Sequence, residues 1–144
     1  MEKQPQFPFA PKDFARCLNA TCPRSQNCLR RTAALQDTDE HLFLKVVNPL
    51  RYPKEGEECE LFRSTDKVRM AWGVTHLLDN VPYKEGSLLR NMIINVMRRS
   101  QYYRCFRKER PFSPQDQQTI RLLFRQRGIS EEPSFDYYTN EFNW

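Results

Sequence analysis

Leu89, Met92, Ile93, Val96 and Met97 recur at i, i+3, i+4, i+7 and i+8, and this spacing constrains the fold more than any other feature of the chain. At 3.6 residues per turn the five side chains share one face of a helix, and that face leaves water only by packing on another apolar surface. Ser87 is the expected N-cap of this helix. The same reasoning extends to both sides. Ser64 opens a helix carrying Val68, Ala71, Trp72, Thr75 and Leu78, which stops at Asn80-Val81-Pro82. Ser100 opens a short helix with Tyr102, Tyr103 and Phe106 on its inner side. Ser113, with Pro114 at the first helical position, starts a last helix whose core residues are Ile120, Leu123 and Phe124 and which ends at Gly128.

The first part of the chain reads differently. Pro5, Pro8 and Pro11 exclude a helix or a central strand over residues 1–12 and leave an extended arm, pinned by Phe7 and Phe9. A short helix is expected from Ser25 to about Leu35, one strand over residues 41–47, and an acidic loop from Pro53 to Glu60. The fold expected is mainly α, a small helical bundle with an N-terminal cysteine-rich lobe and at most one or two short strands. Residues 1–63 form the arm and lobe, residues 64–144 a basic helical region with an acidic tail, and the two make one compact unit. Trp72 is expected to be buried with the stripe of Leu89, Met92, Ile93 and Val96.

Five cysteines need a reason in a chain with no apolar run near the ~18 residues of a membrane span and no signal-peptide pattern at its N-terminus. The cytoplasm is the compartment this implies, and disulfides rarely persist there. The spacing Cys17-x4-Cys22-x5-Cys28, with Cys59 thirty residues further on, supplies the four thiolates of a structural zinc site or an iron–sulfur cluster. The competing reading is a lobe packed with buried thiols. Cys105 lies far along the chain and is expected in the core.

Charge is unevenly spread within a formal net of +5. Residues 87–127 hold ten Lys or Arg against Glu109 and Asp116, whereas residues 128–144 hold Glu131, Glu132, Asp136 and Glu141 and no base. A concentrated basic stretch is the footprint of a polyanion-binding surface. Ser87 to Arg110 has the proportions of a helix-turn-helix, turning near Arg98-Arg99. With the aromatic residues of the second helix inward, Gln101, Arg104 and Lys108 fall on its outer face, where Gln reads adenine and Arg reads guanine. Arg98 and Arg99 would add phosphate contacts, and Arg107 completes the candidate set for DNA or RNA.

Other classes are disfavoured. The four glycines are too scattered for a phosphate-cradling loop, the two histidines too few for histidine-rich metal catalysis, and no carboxylate pair or nucleophile elbow stands out. Cys59 and His76 are the nearest thiol–imidazole candidates, with nothing to bring them together. No catalytic residue is assigned.

Three blocks of sequence also resemble a known family. Cys17 to Arg30 (CLNATCPRSQNCLR), Lys67 to Pro82 (KVRMAWGVTHLLDNVP), and Tyr102 through Phe135-Asp136 to Trp144 together resemble an uncharacterised family of small proteins from Bacteroides-type gut bacteria, classed as a domain of unknown function. The resemblance covers nearly the whole chain. It implies a bacterial, cytosolic origin and a cysteine pattern that works as a unit, and it brings no catalytic residue. The function expected is therefore a small nucleic-acid-binding or regulatory protein, not an enzyme, with a metal-stabilised cysteine lobe holding zinc or an iron–sulfur cluster. The alternative is a protein–protein adaptor with no nucleic-acid ligand, using an apolar patch around Phe112, Phe135, Tyr138 and Trp144.

Overall fold

A computed structural model describes residues 8–36 and 40–144. The chain divides into two units, one of residues 1–66 with 142–144 and the other of residues 67–141.

In the first unit, Phe14, Leu29, Ala10 and Ala33 form a small apolar cluster, with Phe142 and Trp144 packed against it. Leu29 and Ala33 come from a single helix, α1 (Leu29–Ala34), preceded by a 3-10 turn at Ser25–Asn27. The short helix read from the sequence thus exists in two pieces. The expected strand over residues 41–47 does not form: Leu42 and Phe43 are exposed, and only Val46 makes a bridge, to Arg16. Arg16 is fully buried, and its Nη1 donates to the Phe14 carbonyl at 3.1 Å. Phe9 is exposed and so pins nothing, while Phe7 lies outside the described residues.

The second unit corrects the expected fold class. Across the described residues of both units helix takes 36% and strand 13%, so the architecture is mixed α and β and not a helical bundle. The segment read as a helix from Ser64 is instead strand β1 (Lys67–Trp72), which pairs with β2 (Tyr137–Phe142) in an antiparallel sheet of two strands. Val68, Met70 and Trp72 alternate at the strand period while Val68, Ala71, Trp72 and Thr75 follow the helical one, and a distant partner strand decided between the two. Gly73, in the left-handed region at φ 76°, ends β1.

Three helices lie between the strands: α2 (Tyr83–Met97), α3 (Arg99–Phe106) and α4 (Pro114–Gln126). Helix α2 starts four residues before Ser87, directly after Pro82, and Ser87 sits exposed inside it. Leu89 and Ile93 are buried as their spacing requires, Met92 and Met97 are half-buried, and Val96 is exposed. Leu89, Ile93, Met92 and Met97 pack with Ala71, Tyr102, Cys105, Phe112, Ile120 and Phe124. Trp72 is half-buried, stacked on Tyr137 with its indole N–H donating to Thr139 Oγ1, so it does not lie in the core beside the stripe. Ser113 caps α4 as expected, with Asp116 completing a reciprocal capping box.

Candidate metal centre in the cysteine lobe

Backbone hydrogen bonds between distant stretches of the first unit bring its cysteine segments together. The Cys17 amide donates to the Arg30 carbonyl at 2.9 Å, so the first cysteine lies beside the start of α1. Cys28 immediately precedes α1, and its carbonyl accepts from the Thr32 amide and hydroxyl at 3.0 and 3.1 Å. Around it the Leu29 amide donates to the Arg63 carbonyl at 2.7 Å, and Thr65 to the Asn27 carbonyl at 3.1 Å. This pairs the Cys28 segment with the chain that follows Cys59. Cys59 itself sits in a turn closed by the Phe62 amide, and Cys22 in one closed by Ser25.

The result is a single small cavity, about 30 Å³, with Cys17, Cys22, Cys28 and Cys59 all in its wall. The four are free thiols; Cys28 is buried and the other three are half-buried. Four arginines, Arg24, Arg30, Arg31 and Arg51, line the same cavity, with Val47, Leu61 and Phe62 among the apolar contributors and no acidic residue. Arg24 lies 3.4 Å over the Phe62 ring, and Arg31 Nη1 reaches the Cys17 carbonyl at 3.4 Å. Burial and the neighbouring Arg63 hold the Arg30 guanidinium below its ordinary range, while negative charge on Cys28, Cys59 and Cys17 works in the opposite direction. Among the described residues, no three His, Cys, Asp or Glu side chains close tightly enough on one point to hold a single metal ion. The spacing of the cysteines pointed to the set, whereas the arginines interleaved with them (Arg24, Arg30, Arg31) carry no signal of their own in the sequence.

Cys105 is apart from this set, fully buried in the core of the second unit, where burial pushes its thiol up to about 11.

The candidate nucleic-acid residues all lie in the second unit. A single residue, Arg98, joins α2 to α3, in a backbone conformation with φ 69°. Arg98, Arg99 and Arg104 are exposed, Arg99 lying 5.1 Å from the Tyr103 ring. The other three have partners within the protein. Gln101 accepts a hydrogen bond from Arg110, Arg107 pairs with Glu109 at 2.7 Å, and Lys108 pairs with Asp136 at 3.3 Å. Further along, Glu132 takes Arg121 and Arg125, and Glu85 takes Arg127. The basic stretch and the acidic tail therefore partly neutralise each other. Of the apolar patch expected for a protein partner, Phe112 and Phe135 are instead in the core.

Two interleaved observations define the class of protein: a mixed α and β chain, and a lobe that gathers four free cysteines around one cavity. The chain belongs to the family of unknown function DUF6078, whose model matches residues 1–144. No curated protein and no solved structure matches it. No helix among the described residues is long and apolar enough to cross a membrane.

Proposed function

We propose that this protein is built around a metal–thiolate centre held by Cys17, Cys22, Cys28 and Cys59, and that an iron–sulfur cluster suits the site better than a single zinc. The observation that carries the reading is the shared cavity with four cysteines and four arginines and no acid in its wall. Four thiolates around a metal leave a net negative charge, which is costly to bury unless cations surround it. The arginines supply them. A zinc ion at about 2.3 Å from each sulfur draws the four sulfurs to within about 3.8 Å of one another and fills the space between them. Among the described residues no three ligating side chains converge on one point as a single zinc requires, whereas a cluster offers each thiolate its own iron. Such a cluster supplies one-electron transfer or a structural tie.

The test is purification without oxygen, or reconstitution with ferrous iron and sulfide, followed by visible absorbance and elemental analysis. The expected result is several irons with matching sulfide per chain and a brown protein. Cys59→Ser should lose the colour and Cys105→Ser should keep it. One zinc per chain would replace the cluster by zinc, and a folded, colourless, metal-free protein would remove the metal centre altogether.

Nucleic-acid binding is the second reading, favoured by the exposed Arg98, Arg99 and Arg104 around the α2–α3 junction. Affinity for duplex DNA should then fall with salt at about 0.9 log units per log for each phosphate neutralised, and Arg98→Ala with Arg99→Ala should flatten that slope. A chain with no affinity at low salt sinks this reading and leaves the cysteine centre untouched.

A further inference from the structure

The first unit has a second pocket, larger and open, of about 470 Å³. Arg30, Lys45 and Arg63 are in its wall against a single acid, Asp13, and Phe14, Val47, Leu61 and Trp144 are its main apolar lining. We infer that this pocket binds a small molecule carrying an oxoanion, phosphate or carboxylate, on an aromatic or similarly flat body.

Three features lead to this ligand. First, the guanidinium-bearing Arg30 and Arg63 share one pocket wall with Lys45. Like charges gathered in one wall repel each other until an anion is placed between them. Second, each arginine is fixed by only part of its donor set. Arg30 donates through Nε to the Leu61 carbonyl at 2.7 Å and through Nη1 to the Ala15 carbonyl at 3.0 Å, and Arg63 donates through Nη1 to the Asn143 carbonyl at 2.9 Å. The guanidinium groups are thereby oriented, with donors to spare for the forked contacts that carboxylates and phosphates accept. Lys45, exposed, adds a third cation to the lining. Third, the apolar side is built and rigid: Phe14 and Trp144 meet edge to face with centroids 5.3 Å apart, and Arg30 lies 4.8 Å over the Phe14 ring. A flat apolar body suits that wall. Asp13 sets a limit on charge and would accept a hydrogen bond from a hydroxyl or amino substituent on the ligand.

Arg30 lines both this pocket and the cysteine cavity. The inference goes beyond the proposed metal centre and does not depend on it. In one sample, visible absorbance reports the cysteine centre and tryptophan emission reports the pocket, so the two fail separately.

The experiment is a titration of the full-length chain with phenyl phosphate, benzoate and inorganic phosphate, followed by tryptophan emission and calorimetry at constant ionic strength made up with chloride. Saturable binding is expected for phenyl phosphate or benzoate, whichever oxoanion the fork prefers, and more tightly than for inorganic phosphate. Lys45→Gln, at an exposed position, should weaken binding about tenfold or more, the usual cost of one charge-assisted contact. Arg63→Gln should do the same, with a thermal melt to show that the unit still folds. Absence of saturable binding with all three probes overturns the proposal. So does binding that is indifferent to both substitutions.

Discussion

Asp136 ties together groups from three places in the second unit. Its carboxylate accepts from the Thr75 hydroxyl at 2.7 Å and the Thr75 amide at 3.1 Å, and pairs with Lys108 at 3.3 Å. Gly73 must be a glycine to make room for it. At φ 76° a side chain is already strained, and a Cβ there would run into the Asp136 carboxylate and come within 2.8 Å of Lys108 Cε. Partial burial pushes the Asp136 carboxyl upward, but the hydrogen bonds from Thr75 and Lys108 together outweigh it and hold the group below its ordinary value of 3.8. A carboxylate with a depressed folded value stabilises the native state above its unfolded value and loses that contribution as pH falls through the folded one. Asp136→Asn should therefore cost about 1–3 kcal/mol at neutral pH by denaturant melts, and the gap from the parent should close as the pH drops below about 4. A gap that persists unchanged in acid would show that charge has no part in it.

Helix α4 and strand β1 show what kind of element is readable from sequence. Everything that defines α4 is local. Ser113 accepts from the Asp116 amide at 3.1 Å and Asp116 accepts from the Ser113 amide at the same distance, with Pro114 in the first turn and Ile120, Leu123 and Phe124 buried behind them. Ser113→Ala should lower stability by about 1 kcal/mol, seen as a drop in the melting temperature of the second unit. An unchanged melt would mean that packing alone fixes the helix start. Strand β1 is not local. Its partner, β2, begins at Tyr137, in a stretch that reads as a charged tail, and nothing near Val68 or Met70 announces the pairing. The start of α2 was misplaced for a related reason. Gly86 counts against an early start by propensity, yet it sits buried in the first turn, where a Cβ would touch Leu78 and Val81. The candidate site divides in the same way. The cysteine set was legible because thiols are rare and their spacing is short. The arginine wall and the second pocket were not, because Lys45, Arg63 and Trp144 meet α1 only through tertiary folding.

At the scale of the molecule, the order of the chain and the order of the units do not coincide. Residues 1–66 make up most of the first unit, the second unit occupies residues 67–141, and residues 142–144 return to the first. Phe142 and Trp144 complete the apolar cluster of Phe14, Leu29 and Ala33, and the Asn143 carbonyl accepts from Arg63. Synthesis runs from the N-terminus, so a ribosome delivers all four clustered cysteines long before it delivers this closing segment. Until then the lobe lacks Trp144, and Arg63 lacks the acceptor that orients it. Through that interval the Phe14 cluster stays uncovered and Arg63 unoriented, so the first unit takes its described form only after residues 67–141 have been made.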